Sequence, residues 1–403
     1  MHSTSAASLS TGSSAAPRLA PSLVALFAIG AGLSVAGLYY NQPILAAMAS
    51  ELHATPAQIG VVPMLTQLGY AVGIVLFAPL GDRLDRRRVI VVKLLALSAA
   101  LTLAGLARSV ALLAIASLAI GLLATTAQDF VPAAAALAPP DARGKTVGSV
   151  MTGLLLGILL SRVISGGVSD QLGWRAVFFG AAGSIAALAA VSAARLPAFL
   201  PSTTAPYGAL LRSIAVLARD IAPLRKAALA QALLSLAFSA FWSTLALALA
   251  APPYHLGSTA AGLFGLAGAA GAIVAPLAGA FADRRGPRAV IQLGAALVAL
   301  SFTTMAIWPG SLALLIGGTV AFDLGVQACL IAHQTIVYSL DPAARSRLNA
   351  VLVSSMFLGM SAGAALASQT LPRYGWSGVM TLGAIAAALA LVVRALPEKD
   401  VVD

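Results

Sequence analysis

The chain has 403 residues, of which 60% are hydrophobic and only 9% charged, against about 25% charged in soluble globular domains. Water is therefore excluded as the solvent for most of its surface, and apolar runs recur from Ser22 to Leu396, each long enough for a hydrocarbon core of about 30 Å. The net charge of +11 is scattered over short loops with no basic face or aromatic platform for a phosphate backbone, which excludes nucleic acid as a partner, and the single cysteine, Cys329, leaves no intrachain disulfide or metal cluster to form.

Residues 1–20, rich in Ser and Ala, read as a disordered cytoplasmic tail. The first apolar core, Leu19 to Leu38, exceeds the roughly 7–15 residues of a signal-peptide core and reads as an uncleaved span. Taken in order, the apolar runs predict helices at 22–45, 58–80, 88–107, 109–137, 146–168 and 174–194, then at 227–250, 258–281, 288–308, 311–339, 347–370 and 375–395. The runs are continuous rather than alternating, which predicts helices and not barrel strands. The fold class is an all-α membrane protein of twelve transmembrane helices. An N-terminal six-helix bundle occupies 21–196 and a C-terminal one 227–396. Between them, 197–226 carries Pro197, Pro201, Pro206 and Pro223 and reads as a cytoplasmic linker, and 397–403 is a cytoplasmic tail. With both termini inside, 20 of the 24 Lys and Arg fall on the cytoplasmic side, leaving Arg108, Arg175 and Arg373 outside and Arg162 within a span. That bias fixes the topology and implies a multi-pass protein of a bacterial-type inner membrane, solvated by lipid.

The two halves are copies. Gly173-Trp174 matches Gly375-Trp376, and the same offset of 202 superposes Arg143 on Arg345 and Gly157 on Gly359. Pro79-Leu80-Gly81-Asp82-Arg83 after the second helix matches Gly279-Ala280-Phe281-Ala282-Asp283-Arg284 after the eighth at an offset of 201. Equal topology in both halves makes them parallel repeats about an axis along the membrane normal. These loops resemble the signature G-x-x-x-D-R-x-G-R-R of the major facilitator superfamily, with Asp85 in place of the usual glycine, and the resemblance covers about 20 to 396. Tyr39-Tyr40-Asn41-Gln42-Pro43, Gly69-Tyr70 and Pro79-Leu80-Gly81-Asp82 further resemble the bacterial drug and sugar efflux branch, which includes arabinose-efflux-like permeases.

The resemblance implies a monomeric secondary transporter working by alternating access, with two pseudo-symmetric bundles and a small-molecule substrate between them. It implies that Asp82 and Arg83 latch near Leu348 to Val351, and Asp283 and Arg284 near Thr146 to Ser149, closing the cytoplasmic side, with Arg86 and Arg288 in the same gating loops. For Arg86, Arg87 and Arg88 the other reading is that they only set topology as positive-inside charges. A carboxylate is stabilised near a helix N-terminus, which is the physical basis of such a latch. Four titratable groups inside spans are candidates for proton coupling: Asp129, Arg162, Asp323 and His333. Intramembrane charges are costly and face a cavity or a partner. Asp129 paired with Arg162 as a structural bridge is the alternative, although their depths differ by roughly 12 Å at 1.5 Å per residue. A packing role is the alternative for His333. Tyr39, Asn41, Gln42, Gln67, Tyr70, Gln128, Trp242, Gln327 and Gln334 are substrate-cavity candidates, with an interfacial aromatic belt as the other reading of Tyr39.

Small residues recur every fourth position in helix five, from Gly153 and Gly157 to Ser161 and Ser165, and Ser355, Gly359 and Gly363 repeat the stripe in helix eleven. Such stripes let helix backbones approach. The family's exporters carry a glycine-proline motif here, and Arg162 stands where its proline is expected. Ser117 stands where an exporter arginine is expected in helix four. No Walker loop is present, the glycines at 262–271 follow no strand, and no catalytic constellation exists, so neither ATP, a cofactor nor an enzymatic activity is expected. The expectation is proton-driven efflux of a small organic solute. Proton-coupled import or facilitation by the same fold is one alternative, and a non-transporting membrane sensor or scaffold is the other.

Overall fold

In a computed structural model of the chain, residues 19–77, 79–201, 203–268, 286–341 and 344–396 are described. The latch residues Asp283 and Arg284, the eighth helix beyond 268 and most of both predicted tails lie outside them. The first half contains α1 (Pro21–Ala36), α2 (Leu45–Glu51), α3 (Pro56–Ile59), α4 (Val61–Phe77), α5 (Leu80–Arg83) and α6 (Arg86–Gly105). It continues with α7 (Val110–Ala124), α8 (Ala127–Leu137), α9 (Arg143–Leu172) and α10 (Trp174–Arg195). After α11 (Tyr207–Asp220), the second half contains α12 (Ala222–Ala250), α13 (258–268), α14 (Pro287–Ile307), α15 (Leu312–Leu340) and α16 (Arg345–Ala395). No strand occurs among the described residues.

Among the described residues nine helical stretches are long and apolar enough to cross a membrane, two of them formed by successive helices, α3 to α5 and α7 with α8. α16 breaks at Gly375, whose φ of 64° lies in the left-handed region, and so supplies spans eleven and twelve. The described start of α13 and the interrupted pair α1–α2 complete the predicted order. Large apolar side chains such as Val92, Leu95, Leu293 and Leu300 are exposed, as lipid-facing positions require.

Two predicted boundaries shift for physical reasons. The first helix does not end at 45: it unwinds into turns over 37–44 and resumes as α2 as far as Glu51. Pro43 has no N–H to continue a helix, and irregular backbone is tolerated at membrane depth only where protein covers it. The segment is buried from Leu38 to Ile44, which replaces the interfacial-belt reading of Tyr39. The predicted linker contains the helix α11, and α12 starts at Ala222 with Pro223 in its first turn, where a missing N–H costs nothing.

Packing repeats between the halves. α1 lies on α9 where Gly32 meets Gly153 and Gly157; a Cβ on Gly157 would stand 2.3 Å from the Gly32 carbonyl oxygen. α12 lies on α16 in the same way, since Cβ atoms on Gly359 and Gly363 would stand 2.1 and 2.3 Å from the carbonyl oxygens of Ala232 and Leu236. Gly105 receives Phe179 in the first half and Gly383 receives Phe302 in the second. The halves meet where α4 packs on α16 and where Gly166 and Gly262 bring α9 onto α13.

The 79–88 segment marks one side of the bundle, the loop side. There Asp85 accepts the Arg87 N–H at 3.0 Å, starting α6, and the Phe199 N–H at 3.0 Å. This is the task of the carboxylate that stands where the signature has glycine.

Replacing Gly157 with leucine is expected to overpack the α1–α9 crossing and lower thermal stability in detergent by about 1–3 kcal/mol. Gly148→Ala is the control, since nothing lies within 4 Å of its position. It should be neutral or slightly stabilising, as measured by melting of the purified protein.

Candidate transport site

Arg162 on α9 is the centre of a buried cluster assembled from both halves. Its Nε donates to Gln42 Oε1 at 2.9 Å, and its guanidinium lies 4.8 Å from the Tyr39 ring and 4.1 Å from the Trp242 ring. Gln42 and Tyr39 come from the unwound 37–44 segment, which is how the break in the first span reaches the arginine. Trp242 comes from α12 and is wedged by Phe241 and Phe238, with ring centroids 5.4 and 6.2 Å away. Its Nε1 faces Asp323 Oδ1 of α15 at 3.4 Å. The backbone of α13 closes over both charges: a Cβ on Gly265 would stand 3.1 Å from Arg162 Cβ, and one on Gly268 2.3 Å from Asp323 Oδ2. The glycines at 262, 265 and 268 are therefore close-approach positions.

Asp129 does not pair with Arg162. Its Oδ2 accepts Lys93 Nζ of α6 at 2.6 Å, with both side chains buried, so the bridging alternative gives way to a different partner. The prediction counted Lys93 among the loop charges of the basic side; it is 6% exposed, two turns inside its helix. Burying one ion costs several kcal/mol, and each of these two relieves the other. The fourth span breaks at Thr125–Thr126 just before them, and Pro132 removes a further donor from α8.

On the loop side of this pair lies a cavity of about 270 Å³. Its walls include Asp82, Arg86, Gln128 and Asp129 from the first half and Ser346, Asn349 and Ala350 from the second. Asp82 Oδ1 accepts Arg86 Nη2 at 2.9 Å. Asp82 and Arg86 thus share a cavity with the start of α16, the region proposed for the latch, whereas Arg83 is exposed. Arg288 is exposed at the start of α14.

The other candidates divide between these two places. Gln128 Nε2 donates to Tyr70 Oη at 3.0 Å, and Tyr70 stacks on Phe357 across the halves at 4.3 Å. Asn41 Nδ2 donates to Thr66 Oγ1 at 3.1 Å, beside the fully buried Gln67. Gln334 reaches Asn349 at 3.5 Å near the loop-side cavity, and Gln327 is half-buried on α15. His333 stands apart from the Arg162 cluster, its Nδ1 2.9 Å from Gln231 Oε1 of α12.

On the opposite, far side the halves are fastened by a contact that the sequence reading missed. Asp170, near the end of α9, accepts the Ser258 N–H at 3.1 Å and the Thr259 N–H at 2.7 Å. A carboxylate thereby caps the first turn of a neighbouring helix across the interface. Ser361 Oγ donates to the Met64 carbonyl at 3.0 Å, and a Cβ on Gly60 would collide with Ser368 at 2.2 Å.

Two repeated six-helix bundles, joined on the far side and enclosing buried charges drawn from each, define a multi-pass membrane transporter. The family model of the Major Facilitator Superfamily matches residues 27–255 and 227–402, and the chain belongs to that family. It is 39% identical over 377 residues to the uncharacterized transporter YgaY of Escherichia coli O157:H7, covering 93% of this chain and 95% of the relative. Among solved structures it is similar to the nucleoside transporter NupG, with a TM-score of 0.74 at 14% identity over 92% of this chain and 97% of that one. It is likewise similar to the human organic anion transporter MFSD10, with a TM-score of 0.66 at 19% identity over 93% and 100% of the two chains.

Two outcomes test this geometry. Lys93→Met or Asp129→Leu alone should destabilise the protein by about 3–5 kcal/mol by stranding the other charge, and the double variant should recover most of that loss, as read by denaturation in detergent. Asp170→Ala should loosen the far side. In a Cys329→Ser background, labelling of Ala261→Cys by an impermeant maleimide should accelerate about fivefold, the equivalent of roughly 1 kcal/mol for a solvent-exposed contact.

Proposed function

We propose that the protein exports a small organic solute in exchange for protons, with Asp323 as the residue on which the proton is taken up and released. The observation that carries this reading is the contact of Arg162 from the first half and Asp323 from the second with one indole, that of Trp242. Rocking of the halves changes the distance between these charges, and with it the proton affinity of the carboxylate, which supplies a link between conformation and protonation. Asp129 is already matched by Lys93 at 2.6 Å, so its assigned role is to hold the loop-side cavity together.

The loop side is assigned to the cytoplasm, in keeping with its excess of Lys and Arg. The described contacts then correspond to a state sealed at the outside by Asp170. Resemblance of the Tyr39 to Pro43 segment to efflux permeases supports outward transport.

In everted vesicles energised by respiration, a transported solute should discharge the pH gradient, followed by acridine orange fluorescence. Asp323→Asn should abolish that discharge while still exchanging labelled solute across the membrane without a gradient. Uphill, proton-driven transport by Asp323→Asn would remove Asp323 from the coupling step.

A further inference from the structure

The Arg162 cluster is incomplete in a specific way. Arg162 is 4% exposed and Gln42 2%, yet Arg162 Nη2 and Gln42 Nε2 have no hydrogen-bond partner. Both orphans are donors, and they sit on side chains already joined by the 2.9 Å bond from Arg162 Nε to Gln42 Oε1. Among the described residues no carboxylate lies within 4 Å of the guanidinium. What this corner lacks is an acceptor carrying negative charge, and a guanidinium with an amide beside it matches a carboxylate.

The other corner lacks the opposite. Asp323 is 5% exposed, and the indole N–H that faces it at 3.4 Å is beyond the usual length of a hydrogen bond from nitrogen. Its Oδ2 lies where only a glycine leaves space, because a Cβ on Gly268 would stand 2.3 Å away. A buried carboxylate in this position wants a charged donor. The two charges cannot satisfy each other here, since Arg162 rests on the face of Trp242 while Asp323 meets its N–H edge.

We propose that the solute is a small zwitterion, its carboxylate received by Arg162 and Gln42 and its ammonium group by Asp323. A mono-anion would satisfy the first corner and oppose the second; a mono-cation would do the reverse; an uncharged solute would leave both charges unmatched. The crevice beside Arg162 and Gln42 is closed in this state and is otherwise walled by Pro43, Trp242, Leu245, Ala246 and Ala261; it admits a solute only as the halves move apart, and its walls match an apolar remainder. The proposal rests on the reading of the space between the halves as the solute path. It also accounts for exchange, because an ammonium group and a proton compete for the same carboxylate.

The test is direct binding to the purified, full-length protein in detergent, without any gradient. Thermal stabilisation and calorimetry would be run with the twenty standard amino acids, and for leucine with three analogues: 4-methylpentanoate, which lacks the amine; 3-methylbutylamine, which lacks the carboxylate; and leucinamide. At least one apolar zwitterion should bind, and its singly charged analogues, prepared alike for whichever amino acid binds best, should bind about tenfold more weakly or worse. Arg162→Gln should remove binding of the zwitterion, Arg162→Lys should restore part of it, and Asp323→Asn should abolish the preference for the zwitterion over the deaminated acid. Equal binding of a singly charged analogue, no binding by any of the amino acids, or an Asp323→Asn variant that keeps the preference would overturn the proposal. Proton-linked transport of some other solute in vesicles, with no zwitterion bound, would overturn the solute class and leave proton exchange standing. Zwitterion binding with no discharge of a pH gradient would do the reverse.

Discussion

A guanidinium in the middle of a membrane protein has to be surrounded by something better than hydrocarbon, and much of this structure is organised around that requirement at Arg162. The first span gives up its helical hydrogen bonds over 37–44 to bring Tyr39 and Gln42 to it. The seventh supplies an indole face, worth about 2 kcal/mol or more when desolvated. The eighth approaches closely enough to need glycine at 265 and 268. The aromatic set of Phe238, Phe241 and Phe322 holds the indole in place, so the environment is rigid on its second-half side and irregular on its first-half side.

Scaffold and charge follow different symmetries. The glycine contacts are duplicated, α1 on α9 and α12 on α16, Gly105 with Phe179 and Gly383 with Phe302. The buried charges are not: at the repeat offset Arg162 corresponds to Ala364, and Asp129 to Ile331. Close backbone packing is a requirement of shape, which both halves share. A charge is a requirement of task, and the two tasks fall in different places, Lys93 with Asp129 beside the loop-side cavity and Arg162 with Asp323 at the junction of the halves.

The spans, the repeat and the family signature were legible because each depends on residues close together in the chain: apolar runs of a set length, glycines four apart, a short loop between helices. Partners were not legible, because they depend on which helix faces which. Lys93 looks like one more basic residue after Arg86, Arg87 and Arg88, and only its burial against α8 reveals an ion pair. Asp170 reads as a polar helix end, yet it caps a helix 88 residues further on. Tyr39 to Pro43 showed as a family resemblance, but the predicted first helix ran through Pro43 to 45 and missed the break over 37–44. That the break serves Arg162 follows only from the fold. Asp85 was visible as a departure from the signature, and its reason lay in Phe199, over a hundred residues away.

That last contact changes what the connection between the halves is. The Phe199 N–H is held by Asp85 and the Thr203 N–H by the Asp82 carbonyl, while Tyr207 Oη donates to the Leu76 carbonyl. Further along, Ile214 packs with Leu224, Val337, Leu348 and Leu352 of the second half. The joining segment is thus fastened to the signature loop at its start and to the opposite bundle at its end, and little of it hangs free. It is built as a strut rather than a string, tying the two bundles together through side chains and backbone of both. A hybrid built from halves of two relatives would have to inherit the loop and the strut together, cut from the same parent.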